Sequence, residues 1–315
     1  MHSVFRPLLR TLAALACTCG LLAAPATAAP LEVITSFSLL GDFVRQVGGE
    51  RVSVQALVGP DEDAHAFQPR PSDARRLGGA GLVVANGLGF DDWLTRLARS
   101  SGYAGTVVIA SAGIATQPAA AAAGHRHGHD DDHDHDHAGI DPHAWQDVAN
   151  ARRYVATIAA ALTAADPAGA DHYRTNAARY DGELQALDAA IRSALAAIPA
   201  ERRKVVSSHD AFGYFGRAYG MRFLAPVGVS NNAEPTAQGV ARLIRQLKKE
   251  QVPAVFIENV ADPRLLDRIR AESGARIGGT LYSDALSAAD GPAPDYVAMM
   301  RHNLRILTEA LAPQR

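Results

Sequence analysis

Three short motifs, far apart in the chain, each carry one histidine: Asp63-Ala64-His65-Ala66-Phe67-Gln68-Pro69, Asp141-Pro142-His143-Ala144-Trp145 and Ser207-Ser208-His209-Asp210-Ala211-Phe212. A denser tract from His125 to His137 lies just ahead of the second motif. Neutral imidazole is a good ligand for a borderline-soft divalent ion such as zinc. Histidines gathered from distant segments can enclose a site that folding organises in advance, so metal binding is the chemistry these residues indicate. The tract is a different kind of feature. Its His125, His127, His129, His133, His135 and His137 alternate with aspartates and follow the small-residue run Pro118 to Gly124. Such composition cannot bury a core, which predicts a flexible loop over 118–139 holding further zinc weakly and in interchangeable geometries.

Both cysteines, Cys17 and Cys19, fall in the N-terminal stretch, where Arg6 and Arg10 precede an apolar run from Leu12 to Ala24 and the small residues Ala26-Thr27-Ala28. That arrangement predicts a signal peptide over 1–28, cleaved before Ala29, because the apolar run is shorter than the roughly 20 residues that span a bilayer. Lipid attachment at Cys17 is the alternative, but Ala14-Leu15-Ala16 matches a lipoprotein signal poorly. Export to the periplasm and a mature chain without thiols are the expectations, leaving histidines and carboxylates to bind any metal. The net charge of −2 over 315 residues gives no basic surface for nucleic acid.

The elements that must position these groups alternate between strand and helix. Leu31 to Thr35, Val52 to Val58, Leu82 to Asn86 and Thr106 to Ala110 are short runs rich in β-branched residues, with helices expected over Leu39 to Val47 and Asp92 to Arg99. Val205 to Ser208, Phe223 to Ala225, Ala254 to Glu258 and Ile277 to Leu281 repeat the scheme. Alternation of this kind implies an α/β fold of parallel sheets flanked by helices. Between the halves, Tyr173, Ala177, Tyr180, Leu184, Leu187, Ile191, Leu195 and Ile198 recur at steps of three and four. They predict one long helix from Pro167 to Ile198, roughly 48 Å at 1.5 Å per residue, that joins the lobes and limits their swing; Gly182 is where it would otherwise break. The expected division is 29–165 for the first lobe, 166–198 for the linking helix and 199–315 for the second lobe.

The chain resembles the zinc and manganese solute-binding proteins of ABC transporters, the group that includes the ZnuA, TroA and AztC types. The resemblance runs almost end to end. It rests on Thr35-Ser36-Phe37 with Asp42-Phe43-Val44, Ala64 to Pro69, Asn86-Gly87-Leu88-Gly89-Phe90-Asp91-Asp92-Trp93, Asp141 to Trp145, Ser208 to Phe215, Phe256-Ile257-Glu258-Asn259 and Leu281-Tyr282-Ser283-Asp284-Ala285-Leu286-Ser287. It implies two lobes joined rigidly by the long helix, with one metal buried in the cleft between them. It also implies the ligands: His65 and His143 from the first lobe, His209 and Asp284 from the second, a tetrahedral shell for one tightly held Zn(II). Zinc-uptake relatives often place a glutamate before the first histidine, whereas this chain has Ala64, which throws the fourth position onto Asp284, with a water or Glu258 as the fallback. Glu258 is expected to support a loop or a ligand. Asp63, Asp141 and Asp210 stand between supporting a ligand and capping a turn.

The function implied is capture of periplasmic zinc and its delivery to a membrane permease driven by a cytoplasmic ATPase, by a monomer, with a periplasmic metallochaperone as a further partner. Three nitrogens favour zinc over manganese, which prefers oxygen-rich shells. The competing readings are a manganese-binding homologue, a zinc buffer centred on the tract, a surface adhesin and, furthest from the pattern, a zinc hydrolase. No His-Glu-x-x-His motif is present, and four protein ligands would close the shell to a reactive water.

Overall fold

The computed structural model describes residues 29–119, 139–230, 236–261 and 263–312; the expected leader and the histidine tract lie outside the described residues. Two four-stranded sheets form the frame. The first contains β1 (Leu31–Phe37), β2 (Val52–Val58), β3 (Leu82–Ala85) and β4 (Val107–Ile109) in the order β2-β1-β3-β4. The second contains β5 (Lys204–Val206), β6 (Arg222–Leu224), β7 (Ala254–Glu258) and β8 (Arg276–Leu281) in the same arrangement, β6-β5-β7-β8. Every paired strand is parallel. Each strand run expected from β-branched composition is therefore present; the central strands β1, β3, β5 and β7 bury most of their apolar side chains, while Ile109 of β4 and Ile277 of β8 stay exposed at the sheet edges.

The first lobe's helices are α1 (Ser38–Gly48), α2 (Pro71–Gly78), α3 (Asp92–Ser100) and α4 (Val148–Ala165). The single helix expected between the lobes is α5 (Ala170–Ala196), continuous through Gly182. It begins a few residues later than its apolar pattern suggested, because Pro167–Gly169 winds as a 3-10 turn. There Asp166 accepts from Arg51 Nε at 2.9 Å and from Tyr173 OH at 2.7 Å, which pins the start of the strut to the first lobe. The buried stripe Tyr173, Tyr180, Leu184, Leu187, Ile191 and Leu195 is the face expected from the sequence.

The second lobe adds α6 (Gly213–Tyr219), α7 (Ala237–Glu250), α8 (Pro263–Ser273) and α9 (Tyr296–Leu311). Helix α9 returns to the junction, where Tyr296 packs edge-on to Phe43 of α1 at 4.9 Å and donates through its hydroxyl to Trp145 O at 2.6 Å. One continuous apolar cluster runs from Val33 and Phe43 through Tyr154 and Tyr180 to Tyr296 and Leu311. Close-packed interiors of this kind deform little, so the lobes are fixed by shared core as well as by α5. No helix among the described residues is long and apolar enough to cross a membrane.

Candidate metal centre

In each sheet the chain winds first one way from the central strand and then the other, so a crevice opens at the strands' C-terminal ends between β1 and β3, and between β5 and β7. Those ends face each other across the junction. His65 lies on the loop after β2, His209 follows β5, Glu258 ends β7 and Asp284 follows β8. His143 immediately precedes a 3-10 turn, Ala144–Gln146, that leads into α4. Folding thus brings together segments separated by more than two hundred positions.

His65, His143, His209 and Asp284 each place one ligand atom within 4.8 Å of all the others. His65 Nε2 lies 3.3 Å from His143 Nε2 and 3.5 Å from Asp284 Oδ2. His143 Nε2 is 3.5 Å from Asp284 Oδ1, and His209 Nε2 is 3.1 Å from Asp284 Oδ2. A tetrahedral shell with bonds of roughly 2.0–2.1 Å sets neighbouring ligand atoms about 3.3 Å apart, so these separations suit a single ion at the centre. Asp284 is completely buried, and neither of its oxygens has a directed hydrogen bond. Leaving a buried carboxylate in that state is costly unless a cation compensates it. Three imidazoles and one carboxylate therefore fit a divalent metal.

The charges in the cluster respond to one another. Burial alone would raise the Asp284 carboxyl, but His209 and His143 outweigh it and hold it well below the usual carboxylate range. Burial likewise opposes a charge on His209, yet Glu258 and Asp284 override it and raise the imidazole well above its ordinary value. The site is electrostatically prepared for positive charge, and a proton competes with a metal for it.

Two ligand candidates are oriented from behind. His143 Nδ1 is 2.8 Å from Asp141 Oδ1, whose other oxygen accepts from Gln117 Nε2 at 2.7 Å. With Nδ1 carrying the proton, Nε2 presents its lone pair to the cluster. His209 Nδ1 lies 2.7 Å from Glu258 Oε2, off the line of a good hydrogen bond, while the His209 amide donates to Oε1 at 3.0 Å. Glu258 thus supports His209, as the sequence suggested. Asp141 both supports His143 and caps its own turn by accepting from the His143 amide at 3.0 Å. Asp63 accepts from the His65 amide at 2.8 Å, a local turn. The Asp210 amide donates to Gly228 O at 3.1 Å, and it is Glu258 that faces the His209 ring.

Other contributors went unassigned in the sequence although several lie inside the quoted motifs. Asn86 Nδ2 donates to Pro142 O at 3.1 Å and Asn86 Oδ1 accepts from Tyr154 OH at 2.6 Å, fixing the turn before His143. Asp91 accepts from the amides of Asn86 and Gly87 at 2.6 and 2.9 Å. Its burial outweighs these bonds and the Ser36 hydroxyl, so its carboxyl rises to about 6. Trp145 Nε1 and Gln146 Nε2 both donate to Ser283 O at 2.9 Å, tying the turn after His143 to the residue before Asp284. Their signal was an aromatic and an amide beside a candidate ligand; their partner could not be seen because it lies more than a hundred residues away.

Among the described residues, access to the cluster lies on the side of His65. His143, His209 and Asp284 have no exposed surface, whereas His65 lines a cavity of about 330 Å³ with Leu88, Asp92, Arg96, Pro142 and Val229. An ion reaching the cluster along this cavity passes His65 first.

The family model described as "Zinc-uptake complex component A periplasmic" matches residues 33–310. A manganese-binding lipoprotein, MntA of Halalkalibacterium halodurans, is 33% identical over 282 residues, which cover 90% of this chain and 89% of that protein. The iron-binding protein YfeA of Yersinia pestis is 32% identical over 277 residues, covering 87% of this chain and 84% of the relative. Among solved structures, the periplasmic zinc-binding protein TroA of Treponema pallidum superposes with a TM-score of 0.81 at 30% identity, over 90% of this chain and all of that one.

Proposed function

The chain belongs to the family of periplasmic zinc-uptake component A proteins, and on that premise we propose that it captures zinc outside the cytoplasm and hands it to an ABC permease. His65, His143, His209 and Asp284 are the ligands in this reading. The observation that carries it is the buried Asp284 carboxylate, surrounded by three imidazole nitrogens at 3.1 to 3.5 Å and lacking directed hydrogen bonds. The ion is cargo, and no catalytic step is assigned to it. Four protein ligands leave no open position for a reactive water, which argues against the hydrolase reading.

Zinc is supported by the three-nitrogen donor set and by ligand separations near those of a tetrahedral shell. Manganese is the second reading. Relatives named for manganese and iron favour it, and so does the placement of both Asp284 oxygens toward the histidines, since a carboxylate binding through both oxygens would enlarge the shell for a harder ion.

In the rest of the proposal the protein is an exported monomer whose permease is driven by a cytoplasmic ATPase. The six tract histidines act as auxiliary zinc ligands, loaded from solution or by a metallochaperone. Uptake of radiolabelled zinc and manganese by cells carrying the wild type or Asp284→Ala tests the core of this reading. Zinc uptake that depends on Asp284 supports it; manganese uptake alone transfers the function to the second metal, and uptake indifferent to Asp284 refutes the assignment.

A further inference from the structure

The loop carrying His65 is tied to the opposite lobe by an aspartate to which the sequence motifs assign no role. Asp61 follows β2 and sits four residues before His65. Its amide donates to Leu286 O at 2.8 Å, its Oδ1 accepts from Asn259 Nδ2 at 3.0 Å and its Oδ2 accepts from the Ala288 amide at 3.3 Å. Those partners are placed informatively. Asn259 directly follows Glu258, the support of His209, while Leu286 and Ala288 lie two and four residues beyond Asp284. One side chain and its amide therefore join the loops that bear or support three of the four clustered groups.

The backbone at Asp61 is unusual. Its φ is +54°, left-handed, a conformation that aspartate tolerates better than most residues but that still costs free energy. That cost is offset only while the bonds to the second lobe are made. The position of these bonds matters too. Behind the cluster, the lobes are joined by buried links such as Trp145 to Ser283 O and the Tyr296 amide to Asp42 Oδ2 at 3.0 Å. Asp61 is exposed, on the loop whose His65 lines the cavity. Exposed hydrogen bonds exchange with water at small net cost, whereas breaking the buried ones would strand polar groups.

We propose that Asp61 is a positioning residue that sets how long the ion is held: its bonds close the His65 loop over the ion, and their opening lets His65 withdraw without separating the lobes. This rests on the metal-capture reading and adds to it the step that governs release. It predicts a larger change in the rate of loss than in the rate of capture, because an arriving ion meets His65 whether or not the Asp61 bonds are made, whereas a bound ion leaves only once His65 withdraws.

The test uses the full-length mature chain loaded with no more than one equivalent of zinc and then mixed with excess chelator. Asp61→Gly removes both side-chain bonds and accepts the left-handed backbone without strain. It is expected to release zinc roughly tenfold faster, a size in keeping with lost hydrogen bonds to a charged group, with capture within about twofold of wild type and the melting temperature of the unloaded chain little changed. Asp61→Asn keeps one acceptor but turns an NH2 group toward the Ala288 amide, so its release rate should fall between the two. Asn259→Ala should also accelerate release, and adding it to Asp61→Gly should accelerate it less than it does alone, since the Asp61–Asn259 bond is then already gone and only the longer Asn259 bond to Ala285 O at 3.4 Å remains to be lost. Release by Asp61→Gly at the wild-type rate, or faster release matched by a general loss of stability in the unloaded chain, overturns the proposal. A wild type that retains no zinc overturns the capture reading and this proposal together, whereas unchanged release from a chain holding one zinc overturns this proposal alone.

Discussion

His209 and Glu258 meet twice: the His209 amide donates to Glu258 Oε1 at 3.0 Å, and the imidazole Nδ1 stands 2.7 Å from Oε2. The carboxylate fixes the position of the backbone and the direction of the ring together, so Nε2 points at Asp284. Glu258 is itself anchored, because its amide donates to Ser208 Oγ at 3.1 Å. Glu258→Gln keeps the volume but removes the charge that makes the ring a stronger donor. Zinc affinity should fall by about 10- to 100-fold while one site per chain remains, as titration calorimetry would register. An unchanged affinity would mean that the ring is oriented by packing alone.

Acid should weaken metal binding from a higher pH than an ordinary histidine would suggest. An ordinary imidazole titrates near about 6.5. In the fold, burial is outweighed by Glu258 and Asp284, which hold a proton on His209 well above that value. Zinc must displace this proton, so affinity should still be falling with pH on the alkaline side of about 6.5, and zinc binding at about pH 7 should release protons. Stability of the unloaded chain has the opposite sign. A raised His209 pKa contributes stability that is full below the unfolded value and is lost as pH rises through the folded one. Asp284 is ionised in both states across that window, so its depressed pKa does not cancel the trend. Calorimetry in buffers of differing ionisation enthalpy, with melting curves of the unloaded chain over the same range, would measure both slopes. Affinity independent of pH above about 6.5 would contradict the coupling.

Gly213, at the start of α6, makes room for the support of His143. A Cβ there would overlap Asp141 Oδ2 and stand 2.7 Å from Gln117 Nε2, inside the Gln117–Asp141 hydrogen bond. Gly213→Ala should displace Asp141, lower zinc affinity by about tenfold or more and destabilise the chain by ~1–3 kcal/mol. A variant with wild-type affinity and melting temperature would show that the cradle has slack.

The frame was legible because its signals are local. β2 and β7 occupy the residues their β-branched runs indicated, and the i, i+3, i+4 stripe from Tyr173 to Leu195 marked α5 despite Gly182. His65, His143 and His209 stood out by type and motif, and Asp284 was reached through resemblance, then found in their midst. What could not be read was which distant residue meets which. Trp145 and Ser283 are 138 positions apart, Asp61 and Asn259 are 198 apart, and neither pair has a periodic pattern to announce it. Gly213 was visible as part of a motif, but its purpose depends on Asp141 approaching from another lobe. The start of α5 moved for a local reason, since Pro167 and the Asp166 bonds favour a tighter turn before the α-helix begins.

The most direct test is metal analysis of the mature chain lacking Gly124 to Ala138, equilibrated with equal zinc and manganese, dialysed exhaustively and compared with the same chain carrying Asp284→Ala. One zinc per chain is expected in the first and none in the second. No retained metal in the first would place binding on the histidine tract and contradict the assignment of His65, His143, His209 and Asp284; one retained manganese would keep the site and contradict the choice of zinc.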